Sequence, residues 1–282
     1  MAGAHLAELS WRSHARAVLA IAKKDCLRFA RYPLNAVFRV LQPLIWLAPV
    51  YFLGRSFATP SGNEGFAGYA GTGDFMSFIL LGAVLSDFVA AVFWGMGFSL
   101  KEEMDAGVLE SNWLAPVPRL LLVGRTVASL ALTTLTSAVM LLLAWFLFGF
   151  RITGNALVAL VPLAPTLVAL YGFGFAFAAV VLLLREANTL IDVSNYLVTL
   201  LSGSQFPIGV LPRFLVPLSL ALPLTYGYDA LRGVLLGTRT ILPLRYEIAL
   251  LLAAMVLLTA LGYGVFRWVE RRCQELGTLG MH

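Results

Sequence analysis

The sequence predicts an all-α polytopic membrane protein, and three observations predict it. Of 282 residues, 60% are hydrophobic and 12% charged, with a mean hydropathy of +0.85; an ordinary soluble domain is about 45–50% apolar and about 25% charged. A chain of this length has too little interior to bury that much apolar surface, so a bilayer is its natural solvent. The apolar residues also fall into stretches of spanning length, and a helical span needs about 20 of them. Finally, Lys and Arg are distributed asymmetrically along the chain. Disorder, a nucleic-acid-binding domain and a secreted disulfide scaffold are all disfavoured. The net charge of +5 reflects the excess of Lys and Arg that membrane proteins carry in cytoplasmic loops.

Residues 1–33 form a cytosolic or interfacial segment with no cleavable signal pattern. Within it, 11–31 reads as an amphipathic helix. Trp11, Ala15, Val18, Leu19, Ala22, Cys26 and Phe29 share one face, and Arg12, Arg16, Lys23, Lys24, Arg28 and Arg31 the other. Such a helix lies in the membrane interface or packs on another protein. Pro33 ends it. The membrane domain, 34–267, contains six apolar stretches at about 34–54, 75–99, 122–149, 156–184, 188–206 and 246–267. A glycine-rich external loop, 55–74, separates the first two, and a cytosolic loop, 100–121, follows the second.

Between the fifth and sixth stretches lies an apolar region, 207–244, broken by Pro207, Pro212, Pro217, Pro223 and Pro243. Prolines at this density oppose a straight span, so two short re-entrant helices are expected. The second would be capped by Thr225, run from about Tyr226 to Leu236 and stop at Gly237. A cytosolic tail, 268–282, closes the chain. With a cytosolic N-terminus, thirteen Lys/Arg fall inside and six outside, which supports six spans with both termini cytosolic. The two cysteines, Cys26 and Cys273, match no metal spacing and read as reduced thiols.

Enzymatic chemistry finds little support. His5, His14 and His282 sit near the termini, away from the apolar stretches. Lys23, Lys24 and Lys101 do not follow a glycine, so no P-loop is present and ATP is not held by one here. Leu201-Ser202-Gly203-Ser204-Gln205 resembles an ATPase signature, but it ends an apolar span and reads as a chance match.

Ionisable groups within spans are costly, and they are functional or paired. Arg39, Asp87 and Asp192 are such groups. Asn188, Asp192, Asn195, Thr199 and Ser202 form a polar stripe on the fifth span, and Asn35, Arg39 and Gln42 a shorter one on the first. Both should face protein or a watery path, and Arg39 and Asp192 could pair across helices, for packing or for transport. The loop 100–121 holds four carboxylates, Glu102, Glu103, Asp105 and Glu110, beside an anionic membrane, with an apolar edge of Val108, Leu109, Trp113 and Leu114. That edge suits a partner's groove or an interfacial helix; Pro116 and Pro118 end it.

Glu103, Gly107, Leu109 and Glu110, followed by Pro116, resemble the first cytoplasmic loop of ABC-2 type export permeases. Phe206-Pro207-Ile208, then Pro223-Leu224-Thr225-Tyr226 and Asp229 to Gly233 with Arg232, resemble that family's C-terminal signature. The resemblance implies a transmembrane subunit that dimerises, in a bacterial plasma membrane, and pairs with two separate ATPase subunits that hold ATP and Mg. It also implies that 102–115 is a coupling helix, with Glu102 and Trp113 in it, and that Pro207–Leu236 lies near the outer exit. Asp229 and Arg232, one helical turn apart, could contact each other there and restrain the exit helix, or only stabilise a short helix. The family often has Thr or Ser where this chain has Val108. The expected function is ATP-driven export of an amphipathic or hydrophobic substrate, with no cofactor on this chain. An alternative is an ion-coupled secondary transporter using Asp87 and Asp192; a non-transporting membrane scaffold is a third.

Overall fold

The computed structural model describes residues 16, 19–20, 23–24, 26–27, 29, 31–57, 64–98, 118–150, 152–183 and 187–275. Every regular element among them is helical. The described part of the N-terminal segment is helical up to Arg31, with Arg16, Lys23, Lys24 and Arg31 exposed and Cys26 and Phe29 half-buried. Tyr32 breaks it, and Pro33 opens the next helix, α1 (Pro33–Ser56), where its missing N–H costs nothing. A short α2 (Glu64–Ala70) lies in the glycine-rich loop and turns at Gly71, whose φ is +71°. Asp74 then caps α3 (Phe75–Val92), its Oδ1 accepting the Ser77 N–H at 3.0 Å. A π-helical turn, Phe93–Phe98, prolongs α3. The coupling-loop residues Glu102, Glu103, Gly107, Leu109, Glu110, Trp113 and Pro116 lie outside the described residues.

The chain continues through α4 (Pro118–Phe148), α5 (Ala156–Leu183) and α6 (Ala187–Leu201). α6 ends short of the expected 206, because Gly203 takes a left-handed turn with φ +73°. That turn is the structural role of the ATPase-like Leu201–Gln205 stretch. A 3₁₀ turn (Ile208–Val210) and two short helices follow, α7 (Val216–Ala221) and α8 (Pro223–Leu236), before α9 (Leu244–Glu275). α8 stops at Gly237, φ +66°, as its sequence predicts. The expected cap does not form. The helix begins at Pro223, and Thr225 Oγ1 instead donates to the Ser219 carbonyl at 2.7 Å, beside Tyr226 Oη donating to the Leu220 carbonyl at 2.9 Å. Both bonds tie α8 back onto α7, so proline geometry, not a hydroxyl, starts the helix.

Among the described residues, four helices are long and apolar enough to cross a membrane: Phe75–Phe98, Ala128–Phe148, Ala156–Val181 and Leu244–Arg272. α1 is long, but Arg39, Gln42, Pro43 and Pro49 interrupt its apolar character. α6 has 15 residues, about 22 Å at 1.5 Å each, shorter than a bilayer's hydrocarbon core of about 30 Å.

α3 sits at the centre and touches α1, α4, α5, α6 and α8. Its spanning window is 67% buried, against 17% for α9, so α9 is a peripheral helix with most of its surface turned outward. One core joins α3, α5, α6, α8 and α9 around Phe93, Phe177, Ile191, Tyr228 and Phe266. A second joins α1, α3, α4 and α8 around Leu44, Phe78, Leu80, Met140 and Leu231. α9 is held chiefly by α5. There Gly262 meets the Gly172 carbonyl so closely that a methyl on either helix would overlap the other's backbone.

Candidate functional site

A cavity of about 1230 Å³ runs along one face of α3. Ile79, Ala83, Ser86, Asp87, Ala90, Ala91, Trp94, Gly95 and Phe98 line it, which is a continuous i, i+3/i+4 face. From Ile79 to Phe98 the helix rises about 28 Å, close to the thickness of a bilayer's hydrocarbon core. The π-turn supplies its last part: Trp94, Gly95 and Phe98 line the cavity while Phe93 and Met96 stay in the core.

The other walls come from α1 (Phe38, Gln42, Pro43, Trp46, Val50), α4 (Ala128, Ser129, Leu132, Thr133, Thr136) and α6 with its following turn (Asn195, Tyr196, Thr199, Gln205). Lys24, Phe29 and Tyr32 border it from the N-terminal side. The lining is amphipathic: Trp46 and Trp94 present apolar rings, and hydroxyl and amide groups face them from α4 and α6. Thr133 Oγ1 and Asn195 Oδ1 are buried with no hydrogen-bond partner among the described residues. Leaving such atoms unpaired costs about 1–3 kcal/mol each.

The sequence-predicted pathway residues divide. Gln42, Asp87, Asn195 and Thr199 all line the cavity, although they belong to three different helices. Asn188 and Asp192 sit on α6, exposed and outside the lining, so the carboxylates of Asp87 and Asp192 do not line the same cavity. Arg39 lies on α1, and its side chain is outside the described set, as is any pairing with Asp192. Ser129, Thr133 and Thr136 were missed. Their i, i+4, i+7 spacing on the third span is the same kind of signal that marked the fifth.

The late-segment residues form a second cluster. Pro207 is buried beside the turn after α6, and Pro223 starts α8. Arg232 is 3% exposed, yet its donors do not go to Asp229. Nε donates to the Phe78 carbonyl at 3.1 Å, Nη1 to that of Gly203 at 2.8 Å, and Nη2 to that of Ser204. The guanidinium also stacks on the Phe78 ring, 3.5 Å from its centroid. Asp229 Oδ2 accepts the Ile241 N–H at 2.6 Å, while Glu247 Oε1 accepts the Leu242 N–H at 3.0 Å. The expected Asp229–Arg232 contact is therefore replaced by two separate jobs. Asp229 and Glu247 accept loop N–H groups, and Arg232 satisfies the Gly203 and Ser204 carbonyls of the turn after α6 while tying that turn to the Phe78 carbonyl in the first turn of α3; satisfying such loop groups is a stronger demand where water is scarce.

A comparison with curated proteins finds no match. The family model of the ABC-2 type transporter matches residues 16–236, well over half of the chain and including every cavity-lining element. With its apolar helices and the cavity between them, this chain belongs to the ABC-2 type transporter family, as a multi-pass membrane permease and not a catalytic ATPase.

Proposed function

We propose that the chain is the transmembrane subunit of an ATP-driven exporter that moves an amphipathic or hydrophobic substrate, such as a drug, a lipid or a lipid-linked glycan, across a bacterial plasma membrane. The cavity carries this reading: it follows α3 for about the depth of a bilayer, with aromatic rings on some walls and hydroxyls and amides on others. An amphipathic guest finds partners for both of its parts there.

In this reading α1, α3, α4, α5, α6 and α9 are the six spans, with α6 completed by residues 202–206. α7 and α8 are re-entrant helices near the outer exit, and both termini are cytosolic. The N-terminal amphipathic helix lies in the inner interface. Two copies form a homodimer and two ABC ATPase subunits dock from the cytosol, holding ATP and Mg between them. The loop with Glu102, Glu103, Gly107, Leu109, Glu110, Trp113 and Pro116 seats in an ATPase groove, its carboxylates giving polar contacts and Trp113 the anchor. Movement of the ATPase subunits then shifts the permease halves as rigid bodies and opens the path.

The test starts from the neighbouring genes, where an ABC ATPase with a P-loop is expected, and continues with co-expression of that ATPase and this chain. Co-purification and substrate-stimulated ATP hydrolysis are expected, with stimulation lost in the Glu103→Lys, Glu110→Lys double variant while the complex still inserts. A folded chain that binds no ATPase and transports only down a proton gradient would sink this reading in favour of an ion-coupled carrier.

A further inference from the structure

The buried guanidinium of Arg232 joins three segments distant in sequence. It reaches from α8 to the Phe78 carbonyl on α3 and to the Gly203 and Ser204 carbonyls in the turn after α6. It gets there through a notch in α3. At Gly82, one turn beyond Phe78, an added methyl would overlap the Ser204 carbonyl oxygen and come within 2.5 Å of Arg232 Nη2. A second tie runs in parallel. Ser86 Oγ donates to the Gly82 carbonyl at 2.9 Å, so its single proton is used, and Tyr228 Oη on α8 must donate to Ser86 Oγ, also at 2.9 Å.

Both ties touch the cavity. Ser86 is part of its α3 wall, and Gln205, the residue after Ser204, is part of the wall that follows α6. The turn therefore stands at the Ile79 end of the cavity, away from Phe98. Two of the three carbonyls that Arg232 binds, those of Gly203 and Ser204, follow the last turn of α6, where the helix dipole adds negative potential. A guanidinium fork satisfies several such groups at once, whereas an ammonium acts as a point charge.

We infer that Arg232 is a positioning residue of the transport path: seated in the Gly82 notch, it pins the 202–205 turn across the Ile79 end of the cavity and keeps that end closed at rest. This rests on the permease reading, which places that end at the outer face. The pin predicts that charge alone is insufficient, and that crowding the notch opens the end with Arg232 intact.

The test measures how fast Thr136→Cys, a cavity-lining position only 7% exposed, reacts with a membrane-impermeant maleimide. The background carries Cys26→Ser and Cys273→Ser, and reagent is added outside intact cells or from the cytosolic side of inverted vesicles. We expect slow outside labelling with Arg232 and Gly82 unchanged. Labelling should be at least about tenfold faster in Arg232→Gln and in Gly82→Ala, and intermediate in Arg232→Lys. Phe214→Cys, on the exposed stretch before α7, serves as the reference and should keep its rate. Equal Thr136→Cys rates in all backgrounds overturn the pin. A Phe214→Cys rate that rises in parallel also overturns it, since Arg232 would then only hold the fold together. Acceleration seen solely from the cytosolic side supports the pin and overturns the orientation, so the two readings fail separately.

Discussion

Thr133 and Glu247 show how differently a buried polar atom can be used. Thr133 Oγ1 borders the cavity and has no partner among the described residues. Thr133→Val keeps the shape and removes the hydroxyl, so no protein hydrogen bond is lost. Thermal unfolding in detergent should show stability unchanged or higher, within about 0.5 kcal/mol, while transport of an amphipathic substrate falls. A stability loss of several kcal/mol would mean that the hydroxyl serves the fold. Glu247 is fully buried, and its Oε1 holds the Leu242 N–H while the Asp229 carboxyl lies within hydrogen-bonding reach. Glu247→Gln keeps the acceptor and adds an amide that can donate to Asp229, so it should be close to neutral. Glu247→Ala strands the loop N–H and should cost about 2–3 kcal/mol. Equal melting temperatures for the two variants would show that the loop finds other partners.

Among the elements, the α5–α9 crossing is the contact most sensitive to size. α9 buries little elsewhere, and Gly172 and Gly262 let the two backbones meet. Gly262→Leu should force the helices apart at a cost of about 1–3 kcal/mol or more, read as a lower melting temperature and faster proteolysis of the C-terminal helix. Gly264→Leu is the control, since a side chain there meets open space. The same reasoning shows what was legible at this scale. Gly237 announced the end of α8 because only a glycine readily takes the left-handed turn that closes a helix. Thr225 misled because a hydroxyl before a helical run is a cap only if the helix starts there, and Pro223 starts it earlier. The π-turn at Phe93–Phe98 gave no periodic signal, because a single wide turn shifts the register without interrupting the apolar run.

Across the whole molecule, the topology makes a prediction about sides. Asn155 and Asn188 flank α5 at opposite ends, and both are exposed. In a chain lacking Cys26 and Cys273, Asn155→Cys should react with an impermeant maleimide outside intact cells and Asn188→Cys only after the inner face is opened. Labelling of both from one side would show that α5 does not cross. The proposed orientation rests on thirteen basic residues against six, a sum that no single contact reveals.

Hydropathy and charge alone determined that this chain belongs in a bilayer, where most of its long helices begin, and that it holds no P-loop. These are local or additive properties, since transfer from water depends on composition and helix ends depend on nearby residues. The last helix, however, runs eight residues past the expected 267, and Glu64–Ala70 is a helix within an expected loop. The tertiary structure decided which polar residues meet. Gln42, Asp87, Asn195 and Thr199 converge on one cavity, and Asn188 and Asp192 from the same polar stripe do not. A stripe fixes a helix face, but only packing decides what that face looks onto. Arg232 makes the point most sharply. One turn from Asp229 in sequence, it is bound instead to carbonyls 154, 29 and 28 residues away, because in a dry interior the carbonyls of the turn after α6, which lack helical partners, compete successfully for a buried cation that packing has set against α3.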